Sequence, residues 1–334
     1  MVVSPLRIGI AGVGHFGRFH ALKVAGSARA TLSGVCDTDA QRARTVGAEV
    51  GAPALDLAAL LAASDALVIA APADAHHALA TQALRAGKHV LVEKPIAATL
   101  AQADELAALA AQRNLVLQVG HLERFSAAFA AIEGRLGPPL YVEATRIAPF
   151  KQRGTDVSVI LDLMIHDLDL ILSLMASEID SVDAVGAAVA SEHADMANAR
   201  IRFANGAVAT ITASRVAMRT ERRMRVFAQD GYLAVDFANR RLTVIARGRG
   251  APVPGVAGFG IEEASWHDHD SLAAEHAAFV ASALDGTPVL VDAMAGRRAL
   301  AAALAVTDGI AAARARMVAS GLIQQIEHDG GGGI

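Results

Sequence analysis

Three groups of residues in this chain are spaced to do chemistry. The first is Gly12-Val13-Gly14-His15-Phe16-Gly17, a G-x-G-x-x-G directly after an apolar run, Leu6 to Ala11, and at the start of a helix-compatible stretch. In such a turn the first glycine permits the tight bend and the second lets the main chain approach a pyrophosphate. The third allows the helix to pack closely on the strand. The helix N-terminus then offers free N–H groups and a positive dipole end to phosphates. Asp37 ends the second apolar run, 20 residues after Gly17. A carboxylate there can accept both adenosine-ribose hydroxyls and repels a 2′-phosphate, which favours NAD over NADP. Arg42 and Arg44 could soften that preference.

The second group is Lys94, at the carboxyl end of a strand and followed by Pro95. An ammonium at that edge could donate to a reacting hydroxyl, or help deprotonate it if burial lowers its pKa. The alternative is a solvated strand-end lysine, against which the fixed turn at Pro95 argues. The third group is Asp162, His166 and Asp169. At i, i+4 and i+7 they share one face of an α-helix, within about 60° of one another. A carboxylate one turn from a histidine orients the ring and makes it more basic, as a general base near neutral pH should be. The same spacing also fits a surface ion pair or a metal site, although no other His or Cys stands beside it at ligand spacing.

Arg124, Arg146, Arg153 and Arg215 flank these groups in sequence, and guanidinium forks suit a diphosphate or a carboxylate. Each has the plainer reading of a salt-bridged arginine. Trp266-His267-Asp268-His269-Asp270 could bind metal on a strand, where i and i+2 share a face. It reads more simply as a polar lead-in to a helix from Leu272, with Ser271 or Asp270 as N-cap. His20, His77, His89 and His193 have no partner pattern and are assigned no role.

The elements that must position these groups change character near Gly120. Before it, strands at Leu6–Ala11, Thr31–Cys36, Ala66–Ala70, His89–Val92 and Leu115–Val119 alternate with helices, one of them from about Thr99, a plausible N-cap, to Gln112. Another helix ends at Gly87, where a left-handed cap is favoured. Repeated βα units require parallel pairing and right-handed crossovers, hence a doubly wound sheet. After it, helices at Leu122–Glu133 and Leu161–Met175 enclose a strand at Leu140–Ile147. From Ile179 to Ala246 period-2 strands follow, with Asn205-Gly206 and Asp230-Gly231 as hairpin turns. Leu272–Leu284 and Gly296–Met317 are closing helices. The fold class is therefore α/β plus α+β: an NAD-binding Rossmann domain over residues 1–120, then a substrate-binding and oligomerisation domain over 121–329. That second domain carries an open, mainly antiparallel sheet covered by helices on one face. Residues 330–334, with their glycine run, read as a flexible tail.

At 334 residues the chain has room for two domains. Its net charge of -4 supplies no basic field for a nucleic acid. No apolar run is long enough to span a bilayer and no signal peptide is visible, so a soluble protein without a membrane partner is expected. The single cysteine, Cys36, forms no internal disulfide and fits a core position in a reducing cytoplasm.

Four stretches carry a family resemblance: Ala71-Pro72-x-x-x-His76, Glu93-Lys94-Pro95, Gly120-His121-Leu122-Glu123-Arg124-Phe125 and Asp162-x-x-x-His166. With the glycine fingerprint, and in this order and spacing, they resemble the Gfo/Idh/MocA family of dehydrogenases over nearly the whole chain. Gly120–Phe125, Asp162–Asp169 and Ala213-Ser214-Arg215 are most similar to a sugar-nucleotide branch that acts at the 3-hydroxyl of UDP-N-acetylglucosamine. The resemblance implies a catalytic pair, Lys94 and His166, with Asp162 as the partner of His166 and an often cis Lys94–Pro95 bond. It adds Ala71, Pro72, His76, Glu93 and Lys94 to Gly12, Gly14, His15, Phe16, Gly17 and Asp37 as cofactor-binding residues; substrate is expected by Asp162 and His166, with Arg124, Arg146 and Arg153 as the guanidinium candidates read from their chemistry. It also implies a homodimer or homotetramer paired through the free sheet face. The expected reaction is hydride transfer between NAD and a secondary ring hydroxyl, with His166 taking the proton and Lys94 polarising the oxygen. A reductase of a keto sugar or imine, and a non-catalytic dinucleotide sensor, are the alternatives.

Overall fold

The computed structural model describes residues 4–151, 157–267 and 269–324. The expected tail at 330–334 lies outside them. The first half alternates β1 (Leu6–Ala11), α1 (His15–Ala25), β2 (Ala30–Cys36), α2 (Ala40–Val50), α3 (Leu57–Ala63), β3 (Ala66–Ile69), α4 (Ala73–Arg85), β4 (His89–Glu93), α5 (Leu100–Arg113) and β5 (Leu117–Gly120). The five strands are parallel in the order β2-β1-β3-β4-β5. Their centres are apolar on both faces, as a sheet covered by helices on two sides demands. In this order the ligand crevice falls at the carboxyl ends of β1 and β3, where strand order reverses.

Local chemistry fixes the helix ends. Thr99 caps α5 through a capping box with Gln102. Gly87, at φ +75°, stands just beyond α4 as expected. The helix α3 is a short apolar run that Asp56 turns into a helix by accepting from the Ala59 N–H.

The second half holds α6 (Ala127–Ile132), β6 (Pro139–Ile147), α7 (Ile165–Met175), β7 (Ile179–Ala187), β8 (Met196–Phe203), β9 (Val208–Ser214), β10 (Glu221–Ala228), β11 (Gly231–Asp236), β12 (Arg241–Arg247), β13 (Ala251–Pro252), β14 (Phe259–Ser265), α8 (Ser271–Asp285) and α9 (Ala293–Ala319). The strands form one sheet in the order β13-β14-β12-β11-β10-β6-β9-β8-β7, antiparallel except for the parallel pair β6–β9. Asn205-Gly206 and Asp230-Gly231 make hairpins β8–β9 and β10–β11. One face of the sheet packs on α6, α7 and α9.

Two expected helices are broken. The stretch from Leu122 is a 3₁₀ turn, Leu122–Phe125, followed by α6, because Ser126 accepts from the Phe129 N–H and restarts the chain. The stretch before α7 is a π turn, Ile160–Met164, in which the Ile165 N–H reaches back to the Ile160 carbonyl. The closing helices return to the first sheet. Phe279 and Val280 of α8 join the cluster around Ile8 and Ile10. The helix α9 spans both cores, with Leu300 in the first and Ala303 and Val306 in the second.

Candidate active site

The glycine turn forms a cradle open on one side. Gly12 has φ +85°, and a Cβ there would fall 2.6 Å from the Ala71 nitrogen. A Cβ on Gly17 would fall 1.9 Å from the Gly12 carbonyl oxygen, so helix and turn meet without side chains between them. Gly14, the N-cap of α1, has nothing within 4 Å of an added Cβ. That open space above the free N–H groups of α1 is what a pyrophosphate needs. His15 packs edge-on against Phe19, and Phe16 is half exposed beside the turn.

Asp37 ends β2 beside this cradle, with its side chain only 5 % exposed. The Val13 N–H donates to one carboxylate oxygen (2.8 Å) and the Asp39 N–H to the other (2.8 Å). Arg42 donates from its guanidinium at 3.2 Å. The carboxylate is thus preorganised by main chain at the end of β2, with the Arg42 guanidinium beside it. These residues fit NAD.

Lys94 follows β4, and its bond to Pro95 is cis. The His76 ring bridges the Pro95 and Ala71 carbonyls at 2.8 Å each, and so ties the Lys94 turn to the loop after β3. The Lys94 ammonium, 18 % exposed, crosses to the second domain, where it donates to the carbonyls of Leu161 (3.2 Å) and Asp162 (2.9 Å). The π turn leaves the Leu161 carbonyl free to accept, since the Ile165 N–H bonds to Ile160 instead. Burial lowers the Lys94 pKa, and the carboxylates of Asp162 and Glu93 partly restore it.

His166 is partly buried at the start of α7, and its pKa lies well below 6.5. Burial is the first cause, followed by the like charges of Lys94, Arg146, His121 and Arg222. The ring is neutral. The expected Asp162–His166 pair does not form: the Asp162 carboxylate lies 4.0 Å from the Lys94 ammonium, and His166 Nδ1 has no hydrogen-bond partner. The π turn is the reason, because it changes the angular offset between the residues that a regular helix would have stacked.

Asp169 faces Arg124 at 3.6 Å and the buried ring of His121, and burial raises its pKa. Arg124 also stacks on Phe129 and borders a separate cavity of about 350 Å³ with Ile132 and Pro139. Arg146 is buried with its fork on Asp167 (2.8 Å twice) and a further bond to Glu123 (3.2 Å). Despite burial, those two carboxylates raise its pKa. Arg215 holds buried Asp195 (2.7 Å) and the Val157 carbonyl (2.8 Å). These three guanidinium groups are bound to carboxylates of the chain itself. Arg153 lies outside the described residues. Asp268 does too, while His269 bonds the Phe125 carbonyl (3.0 Å) and Asp270 caps α8.

Sequence reasoning passes over His20, which is fully buried and meets Glu93 (2.9 Å) and His276 (2.9 Å). The available signal is its place one turn after Gly17 on the face of α1 that packs inward. His121, buried with both ring nitrogens unpartnered, enters the sequence reading only as part of a motif.

A dinucleotide cradle, a partly buried lysine and, within range of its charge, a neutral histidine define an NAD-dependent oxidoreductase of the kind that works on CH–OH groups. Sequence comparison agrees: the oxidoreductase family with an NAD-binding Rossmann fold matches residues 6–121, and the GFO/IDH/MocA C-terminal domain matches residues 127–234. The chain belongs to the GFO/IDH/MocA family. It is 46 % identical to UDP-N-acetylglucosamine 3-dehydrogenase of Acidithiobacillus ferrooxidans over 92 % of this chain and 98 % of that protein. It is 28 % identical to an inositol 2-dehydrogenase of Rhizobium meliloti over 92 % and 98 %. The crystallised Acidithiobacillus enzyme superposes with a TM-score of 0.87, covering 93 % of this chain and 99 % of that one.

Proposed function

We propose that this enzyme oxidises the 3-hydroxyl of UDP-N-acetylglucosamine to the 3-keto sugar with NAD. The 46 % identity to the Acidithiobacillus enzyme across almost its full length carries this reading, and the nearness of Lys94 to a neutral His166 supports it. When bound, NAD supplies the hydride acceptor at its nicotinamide ring. The protein handles the proton. Lys94, reaching across from the first domain, donates to the carbinol oxygen and lowers the cost of its deprotonation. His166, neutral at working pH, accepts the hydroxyl proton from the other side. Asp162 acts on Lys94 and helps keep the ammonium charged beside the oxygen.

The test is NADH formation with UDP-N-acetylglucosamine, UDP-N-acetylgalactosamine and myo-inositol at equal concentrations. Turnover confined to the inositol would overturn the substrate assignment. Lys94→Ala and His166→Ala should each lower kcat severely while NADH affinity, measured by fluorescence, stays near the native value. Near-normal turnover in both variants would remove them from the mechanism.

The same reading includes a homo-oligomer. The sheet face opposite α6, α7 and α9 carries Tyr141, Phe227 and Tyr232 in ring contact, with Ile245 beside them, all partly exposed in the single chain. The same reading puts the enzyme in a reducing cytoplasm, which its one free thiol, Cys36, suits.

A further inference from the structure

Behind the Lys94 turn lies a second group of titratable residues that the mechanism does not use. It is built where α1, β4, β5 and α8 meet. His20 from α1 has one ring nitrogen 2.9 Å from Glu93 Oε1 and the other 2.9 Å from His276 Nε2 on α8. The other oxygen of Glu93 accepts from the Lys94 main-chain N–H (3.2 Å). A Cβ on Gly120 would strike this carboxylate, so β5 closes the far side. Glu275, one residue before His276, is 0 % exposed, and neither of its carboxylate oxygens has a partner. Ligand atoms of His20, Glu93 and Glu275 all lie within 4.8 Å of one another.

Two carboxyl groups buried this close cannot both be ionised without a positive charge between them. The neighbours supply too little. Around the cluster stand Lys23 and His20 on α1, Glu93 and Lys94 at β4, His121 after β5, and Asp270 and His276 on α8. Lys23 is taken by Asp270 at the surface (2.6 Å). Lys94 points away, toward Leu161 and Asp162. Burial together with His20 drives the His276 ring down to about 3, so it is neutral. Glu93 is held by the His20 ring and the Lys94 N–H; Glu275 has no such partner.

We propose that Glu275 is a carboxylic acid that donates its proton to Glu93, closing a buried chain from His276 through His20 and Glu93 to the main chain of Lys94. With Glu93 the one ionised group, the chain has one consistent set of donors: His276 Nε2–H to His20 Nδ1, His20 Nε2–H to Glu93, and Glu275 O–H to the same carboxylate. Glu275 is in this sense a positioning residue. It fastens α8, from the end of the chain, onto the turn that presents the catalytic ammonium. The direction of its titration agrees, since burial and the charge of Glu93 both raise the Glu275 pKa well above the carboxylate range.

The sign of the consequence is definite. A carboxyl group raised in the folded state contributes stability that is intact below the unfolded value, about 4.3, and is lost as pH climbs toward the folded value. Glu275→Gln, permanently neutral and still a donor, escapes that loss. Its Tm should match the native enzyme at about pH 4 and exceed it by a growing margin toward neutral pH. A lower Tm for Glu275→Gln at neutral pH would show an ionised Glu275 and overturn the proposal. A native Tm lowered by EDTA would show that a cation occupies the cluster, and would overturn it equally. Infrared spectra of native enzyme containing glutamate with isotopically heavy side-chain carboxyl carbon give an independent reading. A protonated-glutamate carbonyl band at neutral pH is expected, and its absence would overturn the assignment even if the variant failed to fold. The positioning role rests on the dehydrogenase reading and is tested apart from it. Glu275→Ala should lower kcat at least about tenfold through misplacement of Lys94, and Glu275→Gln should restore most of it. Loss in both variants alike would leave the acid in place but remove its positioning role. Absent turnover in the native enzyme would instead count against the substrate.

Discussion

His166 and Lys94 are displaced in the same direction by burial and yet end in different charge states, because their neighbours differ. His166 stands among Lys94, Arg146, His121 and Arg222, all of which oppose its protonation, whereas Lys94 has Asp162 and Glu93 to hold its proton. The kcat/KM profile for oxidation should therefore have its acidic limb below pH 6.5, where His166 would become protonated and cease to accept, and its alkaline limb below 10.5, where Lys94 is lost as a donor. An acidic limb at or above the ordinary histidine value would show that a different group takes the proton. Asp37 makes a second prediction at this scale. Its carboxylate is held by the Val13 and Asp39 N–H groups and also occupies Arg42. Asp37→Ser should cost roughly 1.5–3 kcal/mol of NAD binding, at least about tenfold in KM. It should also improve NADP use by releasing Arg42 for the 2′-phosphate. The ratio of kcat/KM for the two cofactors is the measurement. The places of Asp37 and Lys94 were legible in the sequence, since strand ends and glycine spacing fix them locally. That Asp162 lies toward Lys94 rather than His166 was not legible, because it depends on a turn that hydrophobic periodicity does not register.

That turn is the element on which the site depends. Residues 160–164 preserve apolar spacing well enough to read as part of α7, but one residue more than an α-helical turn separates the donor at Ile165 from its acceptor. The extra residue frees a carbonyl for Lys94 and swings Asp162 to the same group. The buried network beneath it is similarly out of sight of local patterns: Arg146 comes from β6, Asp167 from α7, Glu123 from a 3₁₀ turn and Arg222 from β10. These residues come from four separate elements, and an arginine that looks free for a diphosphate is in fact committed. Arg146→Ala would leave Asp167 buried without its bidentate partner. Such breaks cost about 3–5 kcal/mol, so urea denaturation should show a large fall in midpoint with an unchanged slope. A loss below about 1 kcal/mol, with KM for the sugar nucleotide strongly raised, would restore Arg146 to the substrate.

At the scale of the molecule, the fold class followed from the order of βα units and hairpins, but the return of α8 and α9 to the first core did not. Their apolar faces say that they cover something, not which sheet. Among the described residues, what remains uncovered is the other face of the nine-stranded sheet. On it the side chains that alternate with the buried set Val142, Val226 and Leu233 are Tyr141, Phe227 and Tyr232. Their rings touch in a row, with centroids 5.8 Å and 4.8 Å apart across three neighbouring strands. Thr210, Thr212, Thr243 and Ile245 extend this surface as neutral side chains of intermediate exposure. A standard protein–protein interface buries about 1,600 Å² with aromatic anchors at its centre. On the proposed homo-oligomer this row of rings is the centre, with the Arg225–Glu143 and Arg223–Asp236 pairs beside it. Phe227→Glu places a carboxylate at the centre of both copies at once, where it must be desolvated opposite its symmetry mate. Sedimentation should then find native enzyme as a dimer or tetramer and the variant as smaller species. NADH affinity per subunit should be unchanged, because the glycine cradle belongs to the other sheet. A native chain that sediments as a monomer, or a variant that keeps the native mass, would leave this face to some other partner.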